Sequence, residues 1–243
     1  IAAALYIINQ EINPSYKLAW VLVILAFPIF GCMLYFYYGH KRRQPIITHD
    51  NQLVLFDDNA VYDELLKLNA TAAKQAHYLR KCCRLPLYKD VHTFYYPNGE
   101  SAFSDILETL RNAEKFIFLE YFIIQEGVMW NSILDILSEK ASEGVEVRLI
   151  YDELGCIMTL PSTFQQSMEE AGIKCRSFGR IKPLWYGRIN NRDHRKMMIA
   201  DGNSCFTGGI NLADEYINQY EKHGYWKDSV LLLNGNAVNS FTV

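Results

Sequence analysis

An uncharged stretch of 21 residues, LAWVLVILAFPIFGCMLYFYY from Leu18 to Tyr38, restricts this chain more than any other feature. At about 1.5 Å of rise per residue, a helix of that length crosses roughly the 30 Å hydrocarbon core of a bilayer. Trp20 and the run Tyr35, Phe36, Tyr37 and Tyr38 place aromatic rings near its ends, and His40, Lys41, Arg42 and Arg43 follow at once. Such flanks predict a transmembrane helix whose C-terminal side faces the cytoplasm. A buried helix of a soluble core is the competing reading, which the length and the flanking charges disfavour. A cleaved signal peptide fits worse, because no small-residue cleavage site follows. Ile1 to Ile8 (IAAALYII) reads as the tail of an earlier apolar helix and Asn9 to Lys17 as a polar turn, so the N-terminus is expected to form a membrane hairpin with its first helix truncated. Starting at Ile1 and stopping at Val243 within an apolar run, the chain is expected to be a fragment.

Half of the 243 residues are apolar, enough for one substantial core and too many for a disordered chain. Residues 40–58 read as a basic and polar linker, and residues 59–243 as the globular domain. Asp63 to Arg84 has helical composition. KFIFLEYFII (Lys115 to Ile124), VEVRLIY (Val145 to Tyr151) and Lys174 to Phe178 suit buried strands, while Ser101 to Ala113, Gly127 to Glu143 and Pro161 to Ala171 suit helices. This alternation argues for an α/β domain built of βαβ units on a mostly parallel sheet. From Gly187 onward a hairpin is expected, with strand His194 to Ala200, a turn at Asp201-Gly202-Asn203 and strand Ser204 to Thr207.

HRKMMIAD, His194 to Asp201, has the form H-x-K-x4-D. On a strand, side chains alternate, so His194 and Lys196 would share a face and bring an imidazole and an ammonium to one point. The imidazole is a nucleophile for phosphorus, and the ammonium stabilises charge on the non-bridging oxygens. Asp201 has the opposite parity, which by itself suggests a structural role at the turn. Thr207-Gly208-Gly209-Ile210-Asn211 follows, offering close backbone approach and a side-chain amide donor; a tight turn without a ligand is the plainer account of the glycines. A nucleophilic imidazole needs its second nitrogen held by an acceptor. Asp228 is the candidate, ahead of Asp214 and Glu215, which are better placed to cap a helix starting near Leu212. Glu120, inside KFIFLEYFII, requires a partner if buried; it lines the site or pairs with a basic residue.

HRKMMIADG, TGGINLADEY and Tyr225-Trp226-Lys227-Asp228 resemble the first catalytic motif of bacterial cardiolipin synthases, in the phospholipase D superfamily. The resemblance implies a phospholipase D-like mixed sheet flanked by helices, preceded by the membrane hairpin. It makes His194, Lys196 and Asp201 the catalytic motif, with Lys196, Gly209 and Asn211 on substrate phosphate. It also implies that the chemistry needs no metal or other cofactor, and that a second such half, from a C-terminal region or a homodimer, completes the site. The expected reaction joins two phosphatidylglycerols into cardiolipin and glycerol at the cytoplasmic side of the cell membrane, with the chain multi-pass. A membrane-anchored phospholipase D or nuclease-type phosphodiesterase is the first alternative, although the anchor disfavours nucleic acid. A non-catalytic domain binding anionic lipid is the second.

Arg176, Arg180, Lys182, Arg188, Arg192, Arg195 and Lys196, relieved only by Asp193, suggest an anionic partner such as phosphatidylglycerol; a solvated basic loop is the plainer reading. Pro183-Leu184-Trp185-Tyr186 among them would suit a lipid interface. The six cysteines (Cys32, Cys82, Cys83, Cys156, Cys175 and Cys205) lack zinc spacing and disulfide density, and are expected to be reduced.

Overall fold

The structure, a computed structural model, describes residues 2–10, 14–39, 58–83, 85–179 and 192–242. The expected linker up to residue 57, Arg180, Lys182, Arg188 and Pro183 to Tyr186 lie outside the described residues, as does the side chain of Cys83. The described part of the N-terminus and the remainder form two separate compact units.

In the first unit, α1 (Ala2–Ile8), α2 (Pro14–Ala26) and α3 (Pro28–Leu34) are followed by a π-helical turn, Tyr35–Gly39. The single helix expected from Leu18 to Tyr38 is therefore corrected. It starts four residues early, at Pro14, whose missing N–H costs nothing at a helix start, and it breaks at Phe27 ahead of Pro28. Past that break the chain turns back on α2. A Cβ on Gly31 would lie 2.7 Å from the Val23 carbonyl oxygen, and the Tyr16 hydroxyl donates to the Gly39 carbonyl at 3.2 Å. Lys17, expected in a turn, sits inside α2 and donates to the Ile8 carbonyl at the end of α1. No helix among the described residues is long and apolar enough to cross a membrane. Ile7, Ile24 and Tyr35 form a small core, while Leu18, Leu22, Ile29, Phe30 and Met33 project outward.

The second unit opens with α4 (Asn59–Leu68) and α5 (Ala70–Cys83) in place of one helix from Asp63 to Arg84. Asn69 divides them: its extended backbone ends α4, and its side chain caps α5 by accepting from the Thr71 and Ala72 amides. Among the described residues seven strands then build one sheet: β1 (His92–Tyr96), β2 (Phe116–Tyr121), β3 (Glu146–Asp152), β4 (Lys174–Phe178), β5 (Met197–Ala200), β6 (Ser204–Gly208) and β7 (Val230–Asn234), in the order β1-β7-β6-β5-β2-β3-β4. Only β2–β3 and β3–β4 are parallel. The other four pairings are antiparallel, so the sheet is mixed, and the mostly parallel sheet suggested by the alternation is corrected. The reason is long-range. β2 and β3 are joined by α7 (Val128–Ser142), but the hairpin β5–β6 docks on the free edge of β2 and runs against it.

Period-two burial assigns the faces. Ile117, Leu119 and Tyr121 of β2, with Val147 and Leu149 of β3, point to one side. There they meet Ile106 and Leu110 of α6 (Gly99–Arg111), Trp130, Ile133 and Leu137 of α7, and Phe164 and Met168 of α9 (Phe164–Glu170). On the other side Ile199 and Cys205 pack on Val238 ahead of α10 (Asn239–Thr242). The short α8 (Glu153–Cys156) leaves the end of β3, beside the residues discussed next. Cys32, Cys82, Cys156, Cys175 and Cys205 are free thiols.

Candidate active site

β5 begins at Met197, so His194 and Lys196 lie in the extended approach to the strand rather than within it, a correction to the expected strand of His194 to Ala200. What brings them together is the Phe122 ring. Its centroid is 4.7 Å from that of His194 and 5.4 Å from the Lys196 ammonium. Lys196 is only 6% exposed and donates to the His194 carbonyl at 2.9 Å. Burial pulls its pKa down, opposed by the charges of Asp228 and Asp193. The His194 ring is exposed and makes no hydrogen bond among the described residues.

Phe122 is placed by backbone contacts just beyond β2. The side-chain amide oxygen of Asn211 accepts the Ile123 amide at 3.0 Å, and the Leu212 amide donates to the Ile123 carbonyl. Gly155 in α8 lacks the Cβ that would strike the Phe122 carbonyl. Asn211, expected on phosphate, is 3% exposed, and its amide nitrogen also donates to the Tyr216 hydroxyl at 2.7 Å. Asp152, absent from the sequence-based set, is fully buried at the end of β3. It accepts from the amides of Leu154, Gly155 and Asp193 and pairs with Arg192, anchoring the approach to His194.

Glu120 has two partners. The Arg195 guanidinium lies 2.5 Å from its carboxyl and 3.0 Å from that of Asp193. Burial, a hydrogen bond with Asp193 and that group's charge push Glu120 up to about 8, while Asp193 is held below the usual range by bonds from Glu120 and Arg195 that outweigh its burial. The 2.5 Å Arg195 contact suggests an ionised Glu120, whereas its raised pKa describes a neutral one. Burial and the neighbouring Asp193 charge favour the neutral form, in which one oxygen accepts from Arg195.

Asp228 makes no hydrogen bond to His194 among the described residues; its carboxylate accepts the Ser229 amide at 2.8 Å, and its charge acts on Lys196. A Cβ on Gly209 would sit 1.9 Å from an Asp228 oxygen, so the glycine there admits that carboxylate. Asp201 occupies the far end of β5 from His194. Its backbone is left-handed (φ 55°), and its carboxylate accepts from the amides of Glu114, Lys115 and Phe116 at 2.7 to 2.9 Å. Asp214 does not cap the turn it begins. It caps α7, accepting from Val128 and Met129 where Gly127 has no side chain to do so. Glu215 pairs with Lys222.

The basic stretch is largely neutralised where it is described: Arg176 pairs with Glu169, Arg192 with Asp152, and Arg195 with Asp193 and Glu120. Among the described residues no group of three or more His, Cys, Asp or Glu could hold a metal ion.

The family model for the phospholipase D-nuclease N-terminal segment matches residues 1–39, and that for the cardiolipin synthase phospholipase D-like domain matches residues 106–228, just over half of the chain. An uncharacterised protein of Streptococcus mutans is 41% identical, with all of this chain and 54% of that protein covered. A cardiolipin synthase of Alkalihalophilus pseudofirmus is 31% identical over 94% of this chain and 47% of its own length. The chain thus spans about half the length of these curated relatives. NucT from Helicobacter pylori superposes with a TM-score of 0.49 at 13% identity, covering 63% of this chain and 91% of that one.

Proposed function

The chain belongs to the cardiolipin synthase, phospholipase D-like family, and from that premise we propose that it supplies one His–Lys half-site of a phosphatidyltransferase that makes cardiolipin from two phosphatidylglycerols. The observation that carries this reading is the pairing of an exposed imidazole, with no hydrogen bond among the described residues, and a buried ammonium on one aromatic ring.

In the proposed reaction a His194 nitrogen attacks phosphorus and the bond to the glycerol oxygen breaks. The leaving oxygen takes a proton from a second histidine, contributed by a matching half-site in another part of the protein or in a second copy. That histidine then removes the proton from the glycerol hydroxyl of another phosphatidylglycerol. The activated oxygen attacks phosphorus, the His194–phosphorus bond breaks, and cardiolipin is released. Lys196 offers its ammonium to a non-bridging oxygen. Burial pulls its pKa down, and the charges of Asp228 and Asp193, which oppose that shift, favour the cation. Asn211 has a second amide hydrogen for phosphate, beyond the one given to Tyr216. Asp228 supports the cationic site, with Gly209 leaving room for it.

Association with a membrane is part of the proposal. It is supported by the exposed Leu18, Leu22, Ile29, Phe30 and Met33 of the N-terminal unit, a concentration of apolar side chains that calls for an apolar partner. The test is incubation of the full-length protein with labelled phosphatidylglycerol in vesicles. Cardiolipin and free glycerol in equal amounts are expected, and neither from His194→Ala. Phosphatidate as the main product would make the protein a hydrolase instead, and cardiolipin formation by the variant would overturn the role of His194.

A further inference from the structure

His194 sits between two residues that are tied down: Asp193 before it and Arg195 after it. Arg195 reaches from this segment to β2, contacting Glu120 at 2.5 Å and Asp193 at 3.0 Å, and it also places its own amide on the Asp193 carboxylate at 3.2 Å. The Asp193 amide is held in turn by buried Asp152 at 3.0 Å. The position of the imidazole therefore depends on two carboxyl groups meeting at one guanidinium.

From this arrangement we infer that Glu120, Asp193 and Arg195 form a positioning clamp for His194, closed by one proton shared between the two carboxyl groups. This rests on the reading of His194 as the reacting group. The neighbours of Glu120 explain why a proton is needed. Directly across the sheet it faces Ile150 of β3 and Met197 of β5, neither of which compensates a charge. The charged groups around it are Asp193 and Arg195 and, across a shared cavity of about 280 Å³, Arg148 of β3. Arg148 already pairs with Glu146 at 2.8 Å. Arg192 and Lys196 act on the Asp193 side: Arg192 is bound to Asp152, and the Lys196 ammonium is given to the His194 carbonyl. With one cation directly between them, two ionised carboxylates leave an uncompensated charge in a half-buried position, whereas one carboxylate and one carboxylic acid are satisfied. The same cavity opens Glu120 and Arg195 to exchange with water.

The clamp is therefore closed at neutral pH and opens in alkali. Glu120, raised from 4.5 to about 8, holds its proton in the folded protein across a range where an unfolded glutamate has lost it. Its contribution to stability is fully present below the unfolded value and is lost as pH rises through about 8. Asp193 is shifted the other way, its burial outweighed by its bonds with Glu120 and Arg195.

The test reads the His194 ring itself and needs no substrate, so it stands or falls apart from the lipid chemistry. Full-length protein labelled with ¹⁵N at histidine is titrated by NMR, with the His194 signals identified by their loss in His194→Gln. In the wild type the ring nitrogens of His194 are expected to show an inflection near pH 8 that follows Glu120. Glu120→Gln, which keeps a donor toward Asp193 but cannot ionise, should abolish it. Asp193→Asn removes the repelling charge and should move the inflection down by at least one pH unit. An inflection that stays in place in both variants, or a wild-type ring that shows none, would overturn the clamp. Thermal unfolding against pH is the second measurement. The wild-type midpoint should fall relative to Glu120→Gln between pH 5 and 8, and parallel curves would count against the shared proton.

Discussion

The two ends of β5 carry the two ends of the H-x-K-x4-D pattern, and they are built in opposite ways. At the far end, the Asp201 carboxylate is saturated by three backbone amides and sits in a left-handed turn that closes the hairpin on β2. At the near end, His194 is exposed without a hydrogen bond among the described residues, and the Lys196 amine is buried with a single carbonyl acceptor. One end is satisfied and rigid. The other leaves an exposed imidazole beside an ammonium buried at a cost in desolvation. The contrast teaches that a short pattern of polar residues spanning one strand need not serve one purpose: the aspartate closes the turn after β5, and the histidine and lysine stand on the approach to it.

The strongest way to break this comparison is at the reactive end. His194→Ala should abolish phosphatidyl transfer, by about 10⁴-fold or more, since a nucleophile has no substitute nearby. Its unfolding midpoint should stay within about 3 °C of the wild type, because an exposed ring is removed. A large fall in stability would mean that His194 is structural and would erase the distinction between the two ends. Lys196→Met comes next. It should lower the rate by about 10²- to 10³-fold through the loss of a charge aimed at phosphate oxygen. Stability should change little, because an ammonium disfavoured by burial is replaced by an apolar chain of similar length. A rate within a few-fold of the wild type would remove Lys196 from the site.

Much of the platform was legible in the sequence because it depends on local pattern. KFIFLEYFII and VEVRLIY are apolar runs too short for independent helices, and they are strands β2 and β3. β4 was read at its observed bounds. Failures came where a distant partner decides. The order of the strands depends on the hairpin β5–β6 choosing the free edge of β2, 80 residues away in sequence, and no local period encodes that choice. β1 was missed because only Tyr96 of its five residues is buried, leaving no alternation to detect. Two breaks did have local signals. Pro28 within the apolar run and Asn69 between Leu68 and Ala70 are both helix-ending residues, but long stretches of helix-forming sequence on either side outweighed them.

In the candidate site, residue types were readable and their partners were not. Phe122 and Asp152 are separated from His194 by 72 and 42 positions, and only folding brings the Phe122 ring to the imidazole and Asp152 to the Asp193 amide. Asp193 and Glu120 were noticed as charges without being recognised as a pair, since their link passes through Arg195. Asn211 illustrates the reverse. It was chosen for its amide, and that amide supports the backbone beneath Phe122 and binds Tyr216.

The satisfied end of β5 gives the smaller, structural predictions. Asp201→Ala leaves three amides without their acceptor, two of them exposed enough for water to compensate, so a loss on the order of 2 kcal/mol is expected. For a domain of this size that corresponds to about 4–8 °C in the unfolding midpoint. Its pH dependence has a definite sign. Burial alone would raise the Asp201 pKa, but the three amides and Lys115 hold it below its ordinary value of 3.8, so the contribution exists above that value and is lost as pH falls through the lower, folded one. Wild-type and variant midpoints, well separated at pH 7, should therefore converge in strong acid. A separation that persists there would mean that the turn is held by something other than the charged carboxylate.

Asp214→Ala is the finest probe of the comparison, because Asp214 is a second carboxylate serving backbone amides close to the site. It caps α7 from outside the helix, accepting from Val128 and Met129, so its removal should cost about 1 kcal/mol, roughly half the Asp201 effect. Hydrogen exchange should quicken at the first turn of α7 and nowhere near His194. The Gly127→Ala variant approaches the same contact from the other side, since its Cβ would fall 2.5 Å from an Asp214 oxygen and push the cap away. Equal losses in the two single variants and in the double variant would show that both act through this one cap. Additive losses would mean that Gly127 serves the turn into α7 independently of Asp214.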